Sequence, residues 1–126
     1  MNKRDMAAYR KKVWNKYKIP NMSNLHRLKQ NSVTIHTANG YPHESKKFDI
    51  CYEIQSAGMK FITEAQSCKD GRIVDIVVLD TGTEIEVVDS SLTDKTKKAM
   101  EKKDVPILVY KISDRFSVDD LIKRKF

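Results

Sequence analysis

The sequence predicts an α/β fold, a mixed four-stranded sheet flanked by helices in the order αβββαβ, behind a basic N-terminal helical arm. Three observations predict it. Four runs rich in β-branched and aliphatic residues alternate with turn or helix chemistry. The first three runs are joined by the short turns SCKDGR and DTGT, which makes them antiparallel neighbours. The fourth is reached only through the polar segment SSLTDKTKKAMEKKD, whose Ser/Thr/Asp start and lysine-rich end suit a crossover helix.

Taken in order, MNKRDMAAYRKKVWNKYK carries Met6, Tyr9, Val13 and Tyr17 at helical spacing, with Trp14 beside them, and Pro20 ends the pattern. Residues 20–41 form a connector in which SNLHRLK holds one helical turn capped by Ser23 or Asn24. His26 and His36 read there as surface residues. YPHESKKFDICYEIQSAG is a helix with Pro42 in its first turn, Glu44 at its positive end and Gly58 as its C-cap glycine. Phe48, Cys51, Tyr52 and Ile54 form its expected sheet-facing stripe, with Gln55 on the flank. The strands follow at Met59–Gln66, Ile73–Leu79, Glu84–Val88 and, after Asp104-Val-Pro, Ile107–Lys111. The second strand is apolar on both faces except for Asp75, which makes it central. Ser117 opens a last short helix, VDDLIKRK, expected to cover an edge. The division is an arm and connector over 1–41 and a core over 42–126, within a single structural domain.

Composition narrows the function classes. No apolar run approaches the roughly 20 residues of a membrane span. The basic N-terminus lacks the apolar stretch of a secretory signal, so a cytoplasmic or otherwise intracellular location is expected, nucleoid-associated or viral in a host cell. Cys51 and Cys68 form no metal-binding or redox spacing and are expected to be reduced thiols. The net charge of +7 is concentrated at one end: residues 1–40 hold nine Lys/Arg against Asp5 alone. This asymmetry points to a polyanion, nucleic acid ahead of an acidic membrane surface. Lys3, Arg4, Arg10, Lys11, Lys12, Lys16, Lys18, Arg27 and Lys29, with Arg72 in the core, are the candidate phosphate contacts, and Trp14 a candidate for base stacking. An alternative for the arm is packing of its apolar stripe on the body or on a second subunit, with the lysines solvated.

The chemistry-bearing residues are acids set into strands: Glu64 on the first, Asp75 on the second, Glu84 and Glu86 on the third. Carboxylates in an apolar sheet are costly unless paired or metal-bound. By strict alternation Ile73, Asp75, Val77 and Leu79 share one face, and Glu84, Glu86 and Val88 share one face. Asp75 and Glu86 lie at about the same distance from the hairpin turn, so they can meet and hold Mg²⁺. Glu64 is a third candidate and Glu44, at the mouth of the preceding helix, a fourth. The competing reading makes Glu84 and Glu86 the polar face of an amphipathic strand. No phosphate-cradling Gly-rich loop, catalytic Ser/His pair, zinc cluster or RNP-type aromatic pair is present.

These residues in this element order resemble the PD-(D/E)XK nuclease superfamily over about residues 42–112, with Asp75 in RIVDIVVL as its metal-binding aspartate and Glu86-Val87-Val88 as its (D/E)-x-K triplet. The layout looks most like archaeal, viral and competence-associated branches and is related in size and core to the small Holliday junction resolvases. The resemblance implies a restriction-endonuclease-like core and an Mg²⁺-dependent DNA endonuclease, with Mn²⁺ as substitute and no organic cofactor. Asp75, Glu86 and Glu64 would hold the metal, with the Val87 carbonyl as a further ligand, and cutting both strands would call for a homodimer. Branched or otherwise structured DNA is the substrate implied by analogy. Val88 stands where the triplet has lysine. Three readings fit that departure. Glu84-Ile85-Glu86 serves as an E-x-E triplet; the lysine has moved to the following helix, where Lys95, Lys97 and Lys98 stand; or the chain is a catalytically inactive nuclease fold that binds DNA.

Overall fold

The strand at the centre of the sheet is the most apolar run of the chain. IVDIVV, Ile73–Val78, is buried from Val74 onward, because both of its faces are covered by helices. The computed structural model describes residues 2–23, 28–89, 94–102 and 105–122, apart from the side chains of Lys95 and Ile122. Arg27, the helical turn expected around residues 24–27, and both flanks of the crossover helix lie outside the described residues.

The elements run α1 (Lys3–Trp14), β1 (Tyr17–Lys18), α2 (Tyr41–Ser56), β2 (Phe61–Ser67), β3 (Ile73–Val78), β4 (Glu84–Val88), α3 (Asp94–Lys102), β5 (Ile107–Lys111) and α4 (Asp119–Ile122), with a 3₁₀ turn at Thr37–Asn39. They build a mixed α/β fold whose sheet has the order β1-β2-β3-β4-β5. The first three pairings are antiparallel; β4 and β5 run parallel, from Glu84 beside Ile107 to Val88 beside Lys111. A parallel partner requires a crossover, and α3 supplies it.

Two expectations are corrected here. The sheet has five strands, not four, because Tyr17 and Lys18 leave the helical pattern and pair with Ser67 and Gln66 at the edge. The Tyr17 ring needs burial and its hydroxyl needs a partner, and the sheet provides both. The inward face of α2 is also rotated from the expected stripe. His43, Glu44, Lys47, Ile50, Cys51 and Ile54 face inward, while Phe48 and Tyr52 are exposed. Aromatic content misplaced the stripe; buried polar side chains that pair with one another occupy the inner face instead. The C-terminus of α2 is the expected glycine cap, with Gly58 at φ 81° and the Met59 N–H bonded back to the Ile54 carbonyl.

The apolar core lies in two layers. Ile50 and Ile54 of α2 pack with Phe61, Ile76, Val78, Ile85 and Leu108 on one side of the sheet. On the other, Val13 of α1 and Tyr17 pack with Ile62, Ala65, Val74, Val77 and Leu79. Arg10 forks onto Asp80 at 3.0 and 2.7 Å, tying α1 to the β3–β4 turn, and Asp80 also accepts the Lys60 N–H. Gly82 in that turn has φ 74°, and a Cβ there would lie 3.2 Å from the Tyr9 hydroxyl. Gly82→Ala is therefore expected to destabilise by about 1–2 kcal/mol, read as a lower urea midpoint at unchanged slope.

Candidate functional site

The acids are placed by an interruption in the sheet. Pairing of β2 with β3 holds at Thr63–Ile76 and resumes at Ala65–Val74, leaving Glu64 and Asp75 opposite each other between them. Glu64 has a left-handed φ of 47°, a strained conformation for a residue with a side chain. Ile62 and Ala65, three apart, share one core layer, and so do Val74 and Val77. Alternation therefore slips in both strands at this point, and both acids are re-aimed towards α2. Val77 and Leu79 share a face as expected, but Asp75 does not join them; Val74 takes its place.

Pairing of β3 with β4 runs Val77–Glu84 and Ile76–Ile85, and the next position in that register brings Asp75 to Glu86. There the Asp75 Oδ2 accepts the Val87 N–H at 2.8 Å, so a side chain completes what the ladder leaves open. Glu86 is hydrogen-bonded to Asp75. Its Oε1 is the one buried side-chain oxygen among the described residues without a hydrogen-bond partner. Burial, the adjacent Asp75 charge and the shared hydrogen bond push the Glu86 carboxyl up to about 9, so Glu86 carries its proton at neutral pH.

Helix α2 brings three more charged groups to the acids. Lys47 is 0 % exposed, and its ammonium donates to the Glu44 carboxylate and the Thr34 carbonyl, both at 2.7 Å, with Glu64 at 3.9 Å. The His43 Nδ1 lies 2.6 Å from Glu44 Oε2, while its Nε2 lies 2.9 Å from the Val87 carbonyl and 3.4 Å from Asp75 Oδ2. Every neighbour of the ring nitrogens is an acceptor, so His43 is an imidazolium. Burial opposes that charge, but the Glu44 bond, the Asp75 charge and the Val87 carbonyl outweigh it and raise the pKa. Burial also works against the Glu44 carboxylate, yet bonds from Lys47, the His36 N–H and His43 bring it down to about 2. Glu64 is shifted upward by burial and by the charges of Asp75 and Glu44, against the pull of Lys47.

Four carboxyl groups thus meet two cations, and the proton on Glu86 reduces the deficit from two charges to one. One divalent cation would balance all four in ionised form. The donor set is all oxygen, as a hard cation such as Mg²⁺ prefers, and the orphaned Glu86 Oε1 is a buried acceptor in want of a partner. The residues fit the ion in chemistry and charge. No three His, Cys, Asp or Glu side chains among the described residues already surround a common point, so binding requires carboxyl groups to turn.

The remaining candidates lie elsewhere. Glu84 is buried on the α1 side, where it accepts the Tyr17 hydroxyl at 2.5 Å and Arg72 at 2.8 Å. Arg72 is held between Glu84 and Asp70 and so has no exposed face for a phosphate. The Val87 carbonyl is taken by His43. Lys97 is exposed on α3. Of the arm, Lys3, Arg4, Lys11, Lys12, Lys16 and Lys29 are exposed and Lys18 half-buried. Arg10 is engaged with Asp80, and the Trp14 indole donates to the Leu28 carbonyl. His43 and Lys47 were missed from the sequence. The signal was there: they sit in helical register with Ile50 and Ile54, so a polar pair continues an apolar stripe.

Comparison with protein-family models, curated proteins and solved structures gives no match for this chain. Among the described residues no helix is long and apolar enough to cross a membrane.

Proposed function

We propose that the protein is a divalent-metal-dependent DNA endonuclease of the PD-(D/E)XK type, with α2, β2, β3, β4, α3 and β5 as its αβββαβ core. The observation that carries this reading is the forced pair of Asp75 and Glu86, one buried oxygen of which has no partner. Asp75, Glu86 and Glu64 would hold Mg²⁺ or Mn²⁺. When bound, the ion supplies a water of lowered pKa and neutralises charge on the phosphate under attack. The chain's own groups prepare that site. The His43 imidazolium orients Asp75 and the Val87 carbonyl, and Lys47 fixes Glu44 and offsets Glu64. With Val88 in place of the triplet lysine, Lys47 is the ammonium that reaches these acids among the described residues; Lys97 and Lys98 are exposed, and the Lys95 side chain lies outside the described residues. The test is nicking of a mixed panel of duplex, branched and single-stranded DNA in Mg²⁺. Nicks are expected, and their absence with either ion would leave the second reading, a DNA-binding protein of the same fold, which Val88 favours.

The exposed lysines of α1 contact backbone phosphates in this account and set affinity without reading sequence. Lys11→Glu combined with Lys12→Glu is expected to weaken binding to all DNA sequences alike. The slope of log K against log salt should become shallower by about two, measured by fluorescence anisotropy in EDTA.

A further inference from the structure

Helix α2 has a second ordered face, and the acid site does not use it. Tyr41, Ser45, Phe48, Tyr52 and Gln55 follow one another at steps of four, three, four and three, the spacing of a seam that pairs with another helix. Nothing among the described residues covers that seam: Tyr41 is 77 % exposed, Phe48 51 % and Tyr52 65 %. Ile35, beside it in the preceding loop, is also exposed, so four of the seven exposed large hydrophobics among the described residues gather here. Phe48 stands between two hollows of about 530 and 500 Å³, one shared with Ile35 and Tyr41, the other with Tyr52 and Phe116. An apolar patch with a polar rim on an otherwise charged surface marks a contact site.

The seam is complementary to itself when reversed. Laid antiparallel on its own copy about Phe48, it sets Phe48 against Phe48, small Ser45 beneath the large Tyr52, and Tyr41 beside Gln55. A parallel arrangement would instead stack Ser45 on Ser45 and leave a void. The rim fits an identical copy as well. Lys46 and Arg115 are matched there by Asp49 and Glu53, so among the described residues this face carries no net charge on a chain of +7. It therefore lacks the positive field that a nucleic acid would need, and two copies repel less here than elsewhere. Three aromatics from each copy, each with about 100 Å² still open, supply more than half of the roughly 1,000 Å² of a specific contact.

We infer that the outer face of α2 is an isologous dimer interface, in which the Tyr41–Phe48–Tyr52 seam packs antiparallel against the same seam of a second copy of this chain. The contact leaves the inner face of α2, with Lys47 and His43, in place against the acids. Sedimentation of the full chain at physiological salt, over about 1–200 µM, should give a reversible monomer–dimer equilibrium with a dissociation constant in the micromolar range. Phe48→Glu and Tyr52→Glu should each weaken it at least about tenfold, with far-UV circular dichroism and melting temperature unchanged at concentrations where the wild type is monomeric, since both side chains are exposed in the single chain. A wild type that remains monomeric across that range, or a dimer indifferent to both substitutions, overturns the interface. The measurement uses neither metal nor DNA, so its outcome is independent of the nuclease reading.

Discussion

Asp75→Asn is expected to lower DNA nicking by about 10³-fold or more while leaving the fold intact. Asparagine keeps an oxygen for the Val87 N–H, so the interruption in the sheet can persist. It removes the charge that would complete the proposed metal site and the contact that turns the His43 ring towards Asp75. The same substitution relieves Glu86, whose proton is held largely by burial and by the neighbouring Asp75 charge. Nicked product from a supercoiled plasmid measures the first effect and urea unfolding the second. Equal nicking by wild type and Asp75→Asn would remove the catalytic assignment.

Lys47→Met should be the most destabilising substitution in the site, costing about 3 kcal/mol, because it takes the ammonium from the buried Glu44 carboxylate and leaves it only the His43 ring and the His36 N–H. Adding Glu44→Gln should recover much of the loss, and a double-mutant cycle by urea denaturation reads the coupling. The pH dependence has a definite sign. Glu44 has its folded pKa lowered to about 2, so its contribution is present above the unfolded value of about 4.5 and is lost as pH falls from there towards 2. Lys47→Met should move that acid loss upward in pH. Glu86 behaves oppositely. Its folded pKa is raised to about 9, so its contribution is complete below about pH 4.5 and drains away as pH rises towards 9. Glu86→Gln should therefore stabilise the metal-free protein at pH 8, read as a higher urea midpoint than that of the wild type, with the gain shrinking as pH falls towards 4.5.

How much of this was legible in the residues differs from element to element. Strands β4 and β5 stand at the boundaries expected from EIEVV and ILVYK, because apolar runs bounded by turn and helix chemistry have few other ways to be buried. The approach of Asp75 to Glu86 followed from their distances to the hairpin turn. Their direction did not, because the slip at Glu64 and Asp75 depends on a left-handed φ that no local composition announces. Tyr17 kept helical spacing with Val13 but was drawn to the sheet edge, where Glu84 satisfies its hydroxyl. The inner face of α2 was hidden for a related reason. Periodicity seeks apolar residues, and here Lys47 and His43 are buried because Glu44, Asp75 and two backbone carbonyls satisfy them. Phe48 and Tyr52, the better hydrophobes, stand outside.

The central claim is that Asp75 and Glu86 together hold a divalent cation in exchange for the proton on Glu86. Calorimetric titration of Mn²⁺ into the protein at pH 7.5, in two buffers of different ionisation enthalpy, measures binding and proton release at once. The account predicts one bound ion with about one proton released, affinity that rises with pH towards 9, and loss of both signals in Asp75→Asn. Undetectable Mn²⁺ binding, or binding that persists unchanged in Asp75→Asn, would contradict it.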